Sequence, residues 1–187
     1  PLPTEAFPVL GSIGSFEPRK GQVKLLDAVD RARRSLPNVH VMLVGDGPDE
    51  AMLREHVAER ELDEHVTFFP FTTEPAHVFE VLDILTLPST HKEGLPNVLL
   101  EALSMGLPVI STRLAGTPEV VVDGVTGLLV EPGDVDELER AIVTLGGDDD
   151  ARNRMGAAGQ QLMLDSFDKR RQFGAFLDHF AVVATQS

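Results

Sequence analysis

Two glutamates eight positions apart bound the stretch whose residue types and spacing best suggest chemistry. Glu93 and Glu101 enclose the sequence E-G-L-P-N-V-L-L-E. Pro96 suits the first turn of a helix, because its missing N–H would have no intrahelical partner there. Gly94 permits a close approach of the backbone just before that turn. Apolar residues recur at helical spacing from Leu95 to Met105, so the stretch predicts a helix that begins directly after a tight loop.

The start of this helix predicts a site for an anion. The N–H groups near Asn97 and Val98 would point out of the helix, and the helix dipole favours negative charge there. Asn97 and Glu101 are four residues apart and share a face, and helical side chains lean toward the N-terminus, so Glu101 reaches back toward the anion. Carboxylates beside a phosphate need neutral hydroxyl partners, and a sugar and a ribose would supply them. We interpret the stretch as a site for a nucleotide that carries a sugar, although either glutamate alone would more often be an exposed surface residue.

Strands alternate with helices along the whole chain. This alternation predicts a doubly wound parallel sheet of the α/β class, in which ligands bind beyond the carboxyl ends of the strands. The predicted strands are 7–13, 39–44, 66–69, 84–87, 109–111 and 128–130, the last after a hairpin-like stretch at 123–127. The predicted helices are 22–35, 49–61, 74–82 with Thr73 as N-cap, 95–105, 134–145, 152–165 and 168–184, with a short helical turn at 116–119. The segments 14–21, 45–48, 88–97 and 116–119 all follow predicted strands, and we expect them to meet at one edge of the sheet.

Other polar residues carry weaker signals. Lys20 follows the first strand and would reach a phosphate as a point charge, although alone it would be interpreted as a solvated turn lysine. Gly45-Asp46-Gly47 is interpreted as a turn that keeps the backbone away from the ligand. Asp148-Asp149-Asp150 is interpreted as a solvated loop, and the six histidines show no metal-ligand spacing.

Length and composition exclude several classes of protein. The 187 residues suffice for one large domain or two small ones. A formal net charge of −14 makes a nucleic-acid or anionic-membrane surface a poor interpretation. There is no cysteine, hence no disulfide, and no apolar run of membrane-spanning length. The first residue is Pro1, which is typical of a piece of a longer protein or of a processed one.

Six sequence blocks occur in an order that resembles a known family. The chain closely resembles, over nearly its whole length, the C-terminal donor-binding domain of retaining glycosyltransferases of family 4, which have the GT-B fold. The blocks are Gly14-x6-Gly21 with Lys20, Val44 to Pro48, Leu87-Pro88-Ser89, Glu93 to Ala102, Gly116 to Glu119, and Gly127 to Asp134.

The resemblance implies a nucleotide-diphosphate sugar of the UDP or GDP type as substrate, with no metal and no cofactor. It assigns Glu93 to catalysis, as a group that positions the donor sugar rather than as a nucleophile, and Glu101 to the ribose hydroxyls. It assigns Lys20 to the diphosphate and Phe69, within Val66 to Phe71, to the flank of the base. The remaining donor-binding positions that it implies are Ser15, Gly94, Leu95, Pro96, Asn97, Val98 and Gly116.

Two departures from the family pattern matter. Ser15 stands where the family usually has arginine, so a charge-assisted hydrogen bond of about 1.5–3 kcal/mol, or about one to two decades of affinity, would be missing. Arg19 and Arg113 are candidate substitutes. The N-terminal acceptor domain is absent, so residues 1–187 would form the donor domain alone. We therefore expect this chain to bind donor but to transfer little sugar.

Alternative functions remain open at this stage. One is a non-catalytic nucleotide-sugar binding module, and another is a nucleotide-sugar epimerase or a phosphorylase on the same fold. An unrelated dinucleotide-binding domain is disfavoured, because G-x-G-x-x-G does not follow the first strand. We expect a cytoplasmic location, because the absence of cysteine fits a reducing compartment. Any association with a membrane would be a property of the missing half, and the acidic net charge leads us to expect no nucleic-acid partner. The acceptor, a glycan or a lipid, is not predicted. An apolar stripe on the predicted last helix, 168–184, leads us to expect self-association of the isolated chain.

Overall fold

The structure, a computed structural model, describes residues 2–72, 76–91, 94–114 and 116–166. Strands and helices alternate along these residues as predicted. The strands are β1 (Val9–Ile13), β2 (His40–Val44), β3 (Val66–Phe69), β4 (Ile84–Leu87), β5 (Val109–Thr112) and β6 (Gly127–Val130). The helices are α1 (Gln22–Ala32), α2 (Glu50–Glu59), α3 (Ala76–Phe79), α4 (Asn97–Ser104), α5 (Thr117–Val120), α6 (Val135–Gly146) and α7 (Asp149–Ser166), with a short 3-10 helix at Pro18–Lys20.

The six strands form one sheet in the order β3-β2-β1-β4-β5-β6, and every neighbouring pair is parallel. The chain winds outward in one direction from β1 to β3 and in the other from β4 to β6. The direction reverses between β1 and β4, which pair directly through Leu10 with Ile84 and Gly11 with Leu85. A crevice outside the carboxyl ends of these two strands is the place where such sheets bind ligands. The predicted fold class is confirmed.

Helices cover both faces of the sheet, and the strands alternate their side chains between two apolar clusters. On β2, Val41 and Leu43 join the cluster under α1, α2 and α6, whereas Met42 and Val44 join the cluster under α3, α4 and α5. Both faces are buried, which explains why the strands are nearly continuous apolar runs in the sequence. This two-sided burial fixes the carboxyl ends of β1 and β4 relative to each other.

Several predicted elements differ from the structure, and helix α3 is one of them. Helix α3 is four residues long, because Val81 and Leu82 bond three residues back, to Val78 and Phe79, and end it. The tightening places Leu82 against Gly11, where a Cβ would lie 2.1 Å from a Leu82 methyl carbon. The predicted cap Thr73 lies outside the described residues, as does the whole predicted helix 168–184.

The stretch before β6 is not a hairpin. The bridge between Asp123 and Gly127 is parallel, and β6 lies parallel to β5. The buried Thr126 hydroxyl accepts the Val122 amide at 2.8 Å and closes a turn that feeds the chain back into the parallel sheet.

The acidic run at 148–150 is not a solvated loop. The Asp148 carboxylate accepts the Ala151 amide at 2.8 Å, which is an N-cap interaction. Asp149 and Asp150 occupy the first turn of α7, where the helix dipole favours them.

Candidate functional site

The loops that follow β1 and β4 are in direct backbone contact. The Thr90 amide donates to the Arg19 carbonyl at 2.8 Å. Gly21 adopts φ 72°, and a Cβ on it would lie 2.0 Å from the Pro88 carbonyl oxygen. Only glycine allows the two backbones to approach this closely. The expected meeting of these loops at one edge of the sheet is therefore confirmed.

The loop after β2 packs against the loop after β1. A Cβ on Gly45 would lie 2.0 Å from the Gly14 carbonyl oxygen, and the Phe16 amide donates to the Asp46 carbonyl at 2.7 Å. The glycines at 45 and 47 thus serve backbone packing within the protein. The interpretation that they also keep the backbone away from a ligand stays a prediction.

Helix α4 begins at Asn97, two residues later than predicted. Pro96 has φ −73° and ψ 125° and is the N-cap residue, so it precedes the helix rather than forming its first turn, and Leu95 lies outside the helix. No side chain of the N-cap residue bonds the free amides of the first turn. These amides and the helix dipole leave an N-terminus suited to an anion. Asn97 and Glu101 are both exposed on α4, as the predicted shared face requires.

The remaining predicted residues near this helix lie as follows. Gly94 is exposed, and a Cβ on it would meet no atom within 4 Å. Leu95 and Val98 are half-buried and pack against the apolar cluster of this face. Gly116 is the N-cap of α5, and a Cβ on it would lie 3.3 Å from the Leu95 Cβ, so the loop after β5 reaches the start of α4. The catalytic candidate Glu93 lies outside the described residues.

Polar and cationic groups of the loop after β1 surround one carboxylate. The Arg19 Nε donates to the Glu17 carboxylate at 2.6 Å. The pKa of Glu17 lies below its ordinary value because of its interaction with the Ser15 side chain and then because of the hydrogen bond from Arg19. Lys20 lies above the end of β1, where a Cβ on Gly14 would be 3.8 Å from the lysine Nζ.

Arg113 is engaged away from this loop. Its guanidinium pairs with Asp123 at 3.1 Å and with Glu131 at 3.3 Å. The hydrogen bond to Asp123, followed by the charges of both carboxylates, raises the pKa of Arg113. Of the two candidate substitutes for the missing family arginine, Arg19 is the one that lies beside Ser15.

Phe69 lies at the same edge of the sheet but two strands away from β1. Its side chain is 40% exposed and borders a recess of about 160 Å³. The Arg54 guanidinium lies 4.1 Å from the centre of the Phe68 ring, on the wall of this recess. The recess has the size of a small aromatic ring.

A larger cavity, of about 530 Å³, lies at the opposite edge of the sheet. Segments that precede β2 and β3 line it, including Asn38, His40 and His65. Burial lowers the pKa of His40, whose ring nitrogens lie 2.9 Å from the Thr67 hydroxyl and 3.2 Å from the Glu64 carbonyl. Its place at the amino ends of the strands separates it from the site built above.

Within the described ranges, no group of three or more histidine, aspartate or glutamate side chains is placed to hold a metal ion. Metal independence stays a prediction. Of the helices in the described part of the chain, none is long and apolar enough to cross a membrane.

The sequence analysis missed two participants in this site. Neither Glu17 nor Thr90 is among the residues that the sequence patterns single out. The spacing S-x-E-x-R-K at 15–20 could have indicated the role of Glu17, because side chains at alternate positions of a tight turn can contact one another. The Thr90 contact joins residues 71 positions apart and leaves no local signal.

Comparison with known proteins identifies the family. The family model described as Glycosyl transferases group 1 matches residues 2–162. A GDP-mannose-dependent alpha-(1-6)-phosphatidylinositol monomannoside mannosyltransferase of Mycolicibacterium smegmatis is 35% identical over 87% of this chain and 45% of its own length. The lipopolysaccharide core biosynthesis glycosyltransferase LpsE of Rhizobium meliloti is 32% identical over 93% of this chain and 50% of its own length. The chain thus spans about half the length of these relatives.

Solved structures agree with this assignment. The C-terminal domain of LpcC, a group 1 glycosyl transferase family protein of Francisella tularensis, has a TM-score of 0.80 and 25% identity, with 90% of this chain and 89% of that chain covered. HepE of Anabaena, solved with UDP-glucose, has a TM-score of 0.83 and 28% identity, with 92% of this chain and 49% of that chain covered. The six-stranded parallel sheet is therefore the C-terminal half of a GT-B fold, and this chain belongs to the glycosyl transferases group 1 family.

Proposed function

We propose that this chain is the donor-binding half of a retaining glycosyltransferase of family 4. Its substrate is a nucleotide-diphosphate sugar of the UDP or GDP type. One observation carries the proposal. The loops after β1, β4 and β5 converge at the point where the strand order reverses, around the start of α4, whose N-cap residue Pro96 supplies no side-chain cap. In this proposal, Lys20 on the loop after β1 and the amides at the start of α4 both bind the diphosphate.

Each candidate residue has a role in this proposal. The backbone from Gly94 to Val98 binds the sugar and the diphosphate, and Glu101 accepts hydrogen bonds from the ribose hydroxyls. Glu93 positions the donor sugar, and Phe69 flanks the base. The predicted functional positions on the neighbouring loops, Ser15, Lys20 and Gly116, border the diphosphate.

We infer the reaction from the resemblance to retaining glycosyltransferases. An acceptor hydroxyl attacks the anomeric carbon on the face from which the diphosphate leaves, so the configuration is retained. The bond from the anomeric carbon to the diphosphate oxygen breaks, its electron pair goes to the diphosphate, and the proton of the acceptor hydroxyl passes to the departing diphosphate oxygen on the same face. Lys20 and the positive end of α4 stabilise this developing charge, which is how preorganised groups lower a barrier without a metal.

The comparisons support the ligand class without deciding the base. HepE was solved with UDP-glucose, and the M. smegmatis relative is named as GDP-mannose-dependent. We propose for the whole protein a lipid-linked acceptor at a membrane surface, because the names of two relatives carry phosphatidylinositol monomannoside and lipopolysaccharide core.

Calorimetric titration with UDP, GDP and ADP tests the donor site. We expect one nucleotide to bind at micromolar to sub-millimolar concentration, and Glu101→Ala to weaken it about tenfold or more, since hydrogen bonds to a charged group are lost. Glu59→Ala is the matched control, because Glu59 is exposed at the end of another helix. Equal affinity of the two variants would remove Glu101 from the site.

An assay of sugar transfer tests whether donor binding and transfer require different parts of the protein. With its 187 residues, the chain is expected to bind donor and to show little or no sugar transfer, because the acceptor site would lie between two domains. Robust turnover by this chain alone, measured as release of nucleoside diphosphate in the presence of acceptor, would contradict that expectation.

A further inference from the structure

A carboxylate of the protein itself lies within the cationic loop that the proposed function assigns to the diphosphate. Glu17 accepts a hydrogen bond from the Arg19 guanidinium at 2.6 Å. The positive charges of Arg19 and Lys20 both lower the pKa of this carboxyl. An anion of the protein is therefore already paired with a cation of this loop.

The backbone around this carboxylate is fixed by contacts with three other segments. The Gln22 side chain donates to the Ser15 carbonyl at 2.9 Å, the Phe16 amide donates to Asp46, and the Arg19 carbonyl accepts the Thr90 amide. The side chains of Glu17 and Arg19 are 35% and 43% exposed. A rigid loop thus presents a solvent-accessible ion pair, and this pair can exchange partners without movement of the backbone.

We propose that Arg19 is a second diphosphate-binding cation, and that Glu17 holds it in place until a nucleotide diphosphate takes over as its partner. This inference rests on the proposed function. The exchange is one of charge-assisted hydrogen bonds, which carboxylate and phosphate oxygens both accept from arginine in the same geometry. The guanidinium reaches the diphosphate from a position four residues after Ser15.

Opposite effects of two charge-removing substitutions distinguish this exchange from a general electrostatic effect. Arg19→Gln removes a donor to the diphosphate and weakens binding. Glu17→Gln removes the anion that competes for Arg19 and repels the ligand, so it strengthens binding. The increase in affinity caused by Glu17→Gln is smaller when Arg19→Gln is also present, because no guanidinium then remains to be released from Glu17.

The experiment is calorimetric titration of the 187-residue chain with GDP and UDP, without divalent cations, at about 0.1 M ionic strength. Arg19→Gln is expected to weaken nucleoside diphosphate binding about tenfold, and Glu17→Gln to strengthen it about two- to fivefold. Arg34→Gln is the matched control, because Arg34 is exposed beyond the far end of α1 and its loss changes the net charge equally. It is expected to stay within about twofold of the parent chain.

The outcomes are separable. An Arg19→Gln affinity equal to that of Arg34→Gln, in a parent chain that binds nucleotide, overturns this inference and leaves the proposed function standing. Weaker binding by Glu17→Gln overturns the exchange, since Glu17 would then support the ligand rather than compete with it. A parent chain that binds no nucleoside diphosphate contradicts the proposed function and this inference with it. Thermal unfolding of each variant separates a loss of binding from a loss of folding.

Discussion

Replacement of Gly21 by alanine is expected to separate the loop after β1 from the loop after β4. Gly21 has φ 72°, and its Cβ would lie 2.0 Å from the Pro88 carbonyl oxygen. The same glycine ends the 3-10 helix that carries Arg19 and Lys20. Both the stability of the fold and the geometry of the proposed donor site therefore depend on the absence of one methyl group.

Two costs determine how much Gly21→Ala lowers the free energy of unfolding. The left-handed conformation costs a residue with a Cβ about 1–2 kcal/mol. The contact with Pro88 forces the loops apart by more than the hydrogen bond from Thr90 to Arg19 tolerates, and loss of that bond costs about 0.5–1.5 kcal/mol more. The sum is about 1.5–3.5 kcal/mol. For a protein of this size, the expected fall in Tm is roughly 3–14 °C.

Gly124→Ala is the matched control. Gly124 has φ 74°, but a Cβ on it would meet no atom within 4 Å, so it carries the conformational cost without the contact. Thermal unfolding followed by circular dichroism, together with nucleotide titration, measures the difference between the two variants. We expect Gly21→Ala to be the less stable and to bind nucleotide more weakly, whereas Gly124→Ala keeps the parent affinity. Equal Tm values for the two variants would refute the reasoning from the Pro88 contact.

Two further predictions concern groups outside this contact. Burial keeps the pKa of His40 below its ordinary value of 6.5. Below about pH 6.5, His40 is therefore protonated more readily in the unfolded chain than in the folded chain, and this difference favours unfolding. The free energy of unfolding, measured in urea, is expected to fall as the pH falls through that value, less steeply in His40→Asn than in the exposed control His77→Asn; equal slopes would contradict this. Arg113→Gln is expected to cost at most about 1 kcal/mol in the same assay, because its partners Asp123 and Glu131 are about half-exposed. It should leave nucleotide affinity unchanged, and a loss like that expected of Arg19→Gln would place Arg113 in the donor site.

Several features of the fold were predictable because local patterns carry them. The continuous apolar runs at β2 and β4 indicated buried parallel strands, and both have the predicted ends within one residue. The end of α4 at Ser104 follows from Gly106, which has φ 76°. Where tertiary contacts override local pattern, the prediction was less accurate. Helix α3 is short because Leu82 must pack on Gly11, a residue 71 positions earlier.

The sequence by itself determined the class of the sheet, the family resemblance and the identity of most candidate site residues. These depend on periodicity and on the order of short motifs, both of which are local. Only the tertiary structure decided that Gly45 and Gly47 serve contacts between loops, and that Arg113 is paired with Asp123 and Glu131. It alone placed Arg19 and Glu17 beside Ser15 in a loop pinned to Thr90. The physical reason is that a charged side chain takes its role from the partners within a few ångströms, and those partners are set by how distant segments pack.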